Sequence, residues 1–95
     1  MVHFQLYIVY HPAKTGRLVA QVRKALDDIC QDRYTLDTID VLAEPARAHE
    51  QQVLVTPTLV KTHPLPEQRV LGDLSHVKLW VSCLDVPKLC RDVET

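Results

Sequence analysis

The chain has 95 residues, 46% of them hydrophobic and 24% charged, with only two glycines; that suits one ordered domain around a single core and leaves no room for a second, so residues 1–95 form one unit. The net charge is −1, eleven Lys and Arg being scattered among twelve Asp and Glu. This lacks the basic stripe that phosphate backbones require, which argues against a nucleic-acid partner and leaves a protein partner as the default.

No apolar run approaches the ~20 residues that span a bilayer, and Met1-Val2-His3-Phe4 enters patterned sequence without a basic stretch or cleavage site. A cytoplasmic protein with no membrane partner is therefore expected. Cys30, Cys83 and Cys90 are odd in number and fit neither C-x-x-C nor zinc-ligand spacing, so free, reduced thiols are the economical expectation.

In chain order, Val2 to Tyr10 is rich in β-branched and aromatic residues and ends at His11-Pro12, which predicts a buried first strand. From Thr15, a candidate N-cap, Leu18, Val19, Val22, Ala25, Leu26, Ile29 and Cys30 recur at spacings of three and four and define one helix face. Tyr34 to Leu42 reads as a second strand, and strand–helix–strand with this connection implies a right-handed parallel βαβ unit. Glu44 to Gln52 opens with Pro45 and continues in good helix formers, predicting a short helix.

Thr58 to Thr62 then reads as a strand, His63-Pro64-Leu65-Pro66 as a turn, Arg69 to Leu71 as the antiparallel partner, and Gly72-Asp73 as a second turn. Leu74 to Leu84 places Val77, Trp80, Val81 and Leu84 on one helical face with Ser75 available as a cap, Pro87 ends that helix, and Asp85 to Thr95 forms a short helical or frayed tail. Pro57 has three readings. It opens the strand, lies where a sheet edge needs no donor, or follows a cis peptide bond after Thr56. The summed order, βαβ then αββα, is that of a thioredoxin-like α/β domain.

The chemistry is subtractive. A thioredoxin-like enzyme sets its nucleophilic cysteine at the start of the first helix, where the helix dipole stabilises a thiolate; this chain has Lys14-Thr15-Gly16-Arg17 there. The five histidines form no i, i+4 pair and do not cluster with cysteines or acids, so no metal and no cofactor is expected. Glycine-rich phosphate loops and a nucleophile–base pair are also missing. An enzyme-like scaffold without a catalytic set points to a binding role.

Over nearly its full length the chain resembles the KaiB family of circadian clock proteins. The resemblance rests on Leu6-Tyr7-Ile8, Arg17, Ile39-Asp40-Val41-Leu42, Pro45, Val53-Leu54-Val55-Thr56-Pro57-Thr58-Leu59-Val60-Lys61, Pro64-Leu65-Pro66, Arg69, Gly72-Asp73-Leu74-Ser75, Lys78 and Leu84-Asp85. It implies a non-enzymatic regulator that binds the N-terminal ATPase ring of a KaiC-like protein and modulates its phosphorylation cycle. It also implies two folds, a free homotetramer of order βαββααβ in equilibrium with a binding-competent monomer of order βαβαββα. Arg17, Lys61, Arg69 and Asp73 become candidate partner contacts, and Pro57, Cys83 and Asp85 fall in the fold-switch region.

Several residues depart from the family pattern. Val9-Tyr10-His11 replaces alanine-glycine-asparagine, Cys83 replaces a glycine, Asp37 and Gln52 stand where lysines are common, Gln68 replaces one of two arginines, and the acidic tail is replaced by Asp92-Val93-Glu94-Thr95. These changes suit a diverged KaiC. Two other readings compete: a thiol redox protein or sensor using Cys30, Cys83 or Cys90, and an interaction domain like that of the clock-output histidine kinase.

Overall fold

The computed structural model describes residues 1–92 and orders them as β1 (Val2–Ile8), α1 (Thr15–Cys30), β2 (Tyr34–Asp40), α2 (Pro45–Glu50), β3 (Thr58–His63), β4 (Gln68–Leu71), α3 (Val77–Cys83) and α4 (Val86–Asp92). The sheet runs β2-β1-β3-β4, with β1 parallel to β2 and antiparallel to β3, and β4 antiparallel to β3. After residue 45 the helix comes before the strand, so the chain has the thioredoxin-like α/β order.

Period-two alternation in β1 divides the core. Val2, Phe4, Leu6 and Ile8 face the layer that holds α1, α3 and α4, where Val22, Leu26, Trp80, Leu84, Val86 and Cys90 complete the main cluster. Tyr7 faces the other side with Ile39 and Val60, covered by Ala48 of α2. The expected face of α1 is the buried one, Val22, Ala25, Leu26 and Cys30 fully and Leu18, Val19 and Ile29 in part. Trp80 anchors α3, and its indole N–H donates to the Leu74 carbonyl at 3.0 Å.

Element ends differ from expectation for local reasons. The first strand stops at Ile8 and the second at Asp40, because the β1–β2 ladder ends at that pair; Val9, Tyr10 and Leu42 are left outside the sheet and exposed. Thr15 does not cap α1. Lys14 holds the N-cap position without a side-chain bond, and the Thr15 hydroxyl accepts from the His11 N–H at 2.7 Å. Ser75 does not cap α3 either: His76 is the N-cap, and the Ser75 N–H donates to Asp73 Oδ1 at 2.8 Å in a local turn. Pro87 lies in the first turn of α4, where a missing N–H costs nothing, while α3 ends at Cys83. The expected tail, 85–95, is helical over Val86–Asp92, and its last three residues lie outside the described residues.

The Thr56-Pro57 bond is cis, as are His63-Pro64 and Leu65-Pro66. Pro57 immediately precedes β3 and is therefore outside its hydrogen-bond ladder, which joins the first and third readings of that proline. The expectation of three free thiols is overturned: Cys30 and Cys90 are joined as a disulfide, with Cα atoms 5.2 Å apart, and Cys83 is free and exposed. Helix α4 folds back along the end of α1, which brings together residues 60 apart in sequence.

Candidate functional site

The strand directions gather the loops that follow β1 and β2 and precede β3 at one end of the sheet. Tyr7 pairs with Thr58, Thr58 with Leu71, and Ile8 with Asp40, so the chain emerges beyond these residues along one line. Pro57 is tied into it by its carbonyl, which accepts the Gly72 N–H at 2.9 Å. Gly72 has φ +87°, a conformation a glycine adopts without penalty. The Thr58 hydroxyl donates to the Val55 carbonyl at 2.6 Å and closes the preceding loop.

This end carries an apolar rim. Among the described residues, Val9, Tyr10, Leu42, Leu54, Val55 and Leu71 are large hydrophobics left exposed here, Leu54 at 91% and Leu42 at 73%. Single exposed hydrophobics need no explanation, but six at the same end of a sheet make that end a candidate interaction surface. A shallow cavity of about 210 Å³ opens beside it, lined by Val9, His11, Lys14, Leu18, Thr56 and Pro57 among others. The carboxyl ends of parallel strands are the usual binding edge of open α/β sheets. The start of α1 adds positive charge through its dipole, Lys14 and Arg17. Arg17 is exposed and makes no hydrogen bond or ion pair among the described residues.

The other candidate contacts lie elsewhere. Lys61 is not at the surface: it is 1% exposed, and its ammonium donates to the carbonyls of Pro64, at 2.6 Å, and Pro66. Burial pushes its pKa below the ordinary 10.5. Inner strand β3 is covered on both sides, so its fourth consecutive residue is buried as well, and the long stem carries the charge to the proline loop. Arg69 turns inward, donating to the Gln51 carbonyl at 2.9 Å and to Glu67 Oε1 at 2.9 Å, and so ties β4 to the end of α2. Asp73 is exposed, and hydrogen bonding to Ser75, side chain first and then backbone amide, holds its carboxyl below the usual range.

Of the candidate residues only Arg17 and Pro57 stand beside the rim, and Asp73 follows the turn at Gly72. Cys83 ends α3, and Asp85 links α3 to α4 with φ +50°. Tyr10 is a family departure and Leu42, Leu54 and Val55 belong to the family motifs, but none of them, nor Leu71, was expected as a partner contact. The signal was present in their positions, because they fall just outside strand ladders or beside Pro57 and Gly72. Among the described residues no group of three or more His, Cys, Asp or Glu is placed to hold a metal ion, and no helix is long and apolar enough to cross a membrane.

The family model described as the KaiB domain matches residues 5–86. The chain belongs to the KaiB family. It is 35% identical over 82 residues to the circadian clock protein KaiB3 of Synechocystis sp., covering 86% of this chain and 80% of that one. It is 39% identical over 71 residues to the circadian clock oscillator protein KaiB of Synechococcus elongatus, covering 75% and 70%. Its fold is similar to that of the N-terminal domain of Synechococcus elongatus SasA, with a TM-score of 0.74 at 22% identity over 93% of this chain and 83% of that one. At that identity the likeness shows the fold alone. A designed protein shares it at a TM-score of 0.65 and 18% identity, over 87% and 75%. The resemblance to clock proteins and the thioredoxin-like order expected from the residues are thus both findings for this KaiB-family chain.

Proposed function

We propose that this chain is a non-enzymatic, cytoplasmic regulator that docks on the N-terminal ATPase ring of a KaiC-like protein and modulates its phosphorylation cycle. The observation that carries the reading is the apolar rim, six exposed hydrophobics at the carboxyl end of β1 and β2. Membership of a clock-protein family supplies the class of partner. The rim's aromatic and aliphatic side chains supply contact area, while Lys14, Arg17 and the α1 dipole favour acidic groups on the ring and raise the association rate. The helix-first order after residue 45 is the one that the family resemblance assigns to the binding form, and a homotetramer in equilibrium with this monomer is its resting partner state.

The test is co-elution of the chain with its cognate KaiC-like ATPase on size exclusion. The wild type co-elutes. Leu42→Asp with Leu54→Asp abolishes co-elution while the melting temperature stays unchanged, since neither side chain contributes to the core. Failure of the wild type to bind any candidate ring overturns the function, and binding by the double variant overturns the site.

A further inference from the structure

The disulfide has no place in the docking reading. Cys30 is the last residue of α1, and Cys90 lies inside α4. Cys30 is 0% exposed and Cys90 1%, within the main core cluster. The bond sits at the far end of α1 from the rim, roughly 22 Å from Thr15 at 1.5 Å per residue. It is also unlike the disulfide framework of a small secreted scaffold, which compensates for a thin core with several bridges. Here one pair is bonded, a third cysteine is free, and the core is well filled around Trp80, Phe4 and Leu26.

What the bond holds is α4. That helix has seven residues and follows Asp85 in a left-handed conformation, and its buried groups Val86 and Cys90 lean on α1 and the end of α3. A helix of this length is not stable alone in water, so its helicity depends on that packing. The two sulfurs are covered by the elements they join, so a reductant reaches them through transient local opening at the end of α1, which the intact bond makes rarer but does not forbid. Single disulfides in small proteins of reducing compartments are usually transient and sensing rather than structural.

We propose that Cys30 and Cys90 form a redox latch: oxidised, the bond fixes α4 against α1; reduced, it leaves α4 free to open locally and expose the apolar end of α1. The chemistry is thiol–disulfide exchange with a small-molecule or protein dithiol. Its thiolate attacks one Sγ, the Cys30–Cys90 bond breaks, and a mixed disulfide forms. The dithiol's second thiolate then displaces that sulfur. The products are two cysteine thiols and one cyclic disulfide, two electrons and two protons having passed to the protein. Oxidation by a disulfide runs the same steps in reverse. The latch rests on the cytoplasmic location proposed above but not on docking, because it acts at the opposite end of α1 and is read without any partner.

Hydrogen exchange on the full chain tests it, in a Cys83→Ser background that removes intermolecular pairing through the exposed thiol. Oxidised glutathione and dithiothreitol prepare the two states, and alkylation after denaturation counts the thiols in each. Reduction should speed exchange of the Leu89–Asp92 amides, the ones with acceptors inside the helix, about tenfold or more, while the β1 and β3 amides stay protected. Cys90→Ala kept under oxidising conditions should exchange like the reduced protein. Cys30→Val, which keeps the core filled, should do the same. The proposal is overturned if α4 exchanges alike in both states, or if both Cys30 and Cys90 alkylate after treatment with oxidised glutathione.

Discussion

Replacing Lys61 by methionine probes a buried cation whose observed partners are two backbone carbonyls, those of Pro64 and Pro66. Methionine keeps most of the stem's apolar contact and removes both donors. Hydrogen bonds from a charged group contribute about 1.5–3 kcal/mol each, so the gross loss is about 3–6 kcal/mol. Two effects reduce it. The desolvation cost of the ammonium disappears with the charge, and the freed carbonyls rehydrate, because Pro66 is exposed and Pro64 half-buried. A net loss of about 2 kcal/mol follows, worth roughly 8–16 °C in melting temperature for a domain of this size.

The pH dependence gives a second reading of the same side chain. Its folded pKa lies below the unfolded 10.5, so through the window between them the unfolded chain holds the proton more tightly. Stability contributed by the neutral amine therefore rises with pH across that window, and the penalty of the buried charge is fully present below it. Urea unfolding of both proteins from about pH 7 to about pH 11, past the unfolded value, isolates this group, since all other titrations are shared. The gap between wild type and Lys61→Met should widen as pH rises. A constant or narrowing gap, or a variant as stable as the wild type at neutral pH, would refute the assignment of Lys61 as a buried loop clamp.

Gly72→Ala should lower the urea midpoint by the equivalent of about 1–2 kcal/mol with m unchanged; no atom lies within 4 Å of the added Cβ, so the cost is that of φ +87° alone. Trp80→Ala should cost about 3–5 kcal/mol in the same assay, because the side chain is 1% exposed and its indole N–H is bonded inside the core.

The fold was legible where local pattern and tertiary burial agree. The α1 stripe from Leu18 to Cys30 and the alternation of β1 left few ways to build the βαβ half. Val9 and Tyr10 show where that reasoning stops: as apolar residues they extend the strand pattern, but a single chain's pattern does not separate an apolar side chain that meets a helix from one that meets solvent. Lys61 fails in the opposite direction, since a lysine in sequence reads as surface and only the two-sided cover of β3 shows that it is inside. Leu74 counted as helix and instead plugs the core ahead of α3, its carbonyl taken by Trp80. The Cys30–Cys90 pairing depends on α4 folding back along α1, a contact that spacing does not encode.

The rim draws on both halves of the chain. Val9, Tyr10 and Leu42 come from the βαβ unit, which has mainly short-range connections, whereas Leu54, Val55 and Leu71 reach the same end only because α2 precedes β3 and β4 closes against it. A different packing of the segment after residue 45 would keep three of these side chains in place and displace the rest. The docking proposed at the rim would therefore be linked to the order of the second half. A ring present at a hundred times its dissociation constant adds about 2.7 kcal/mol to the arrangement that carries the complete rim. The apparent affinity is the intrinsic affinity multiplied by the fraction of free chains that already hold that arrangement. On the proposed docking, Gly72, Thr58 and the Pro57 carbonyl would determine binding without touching the partner, because they hold the second-half residues at the end of the sheet where the first-half residues already stand.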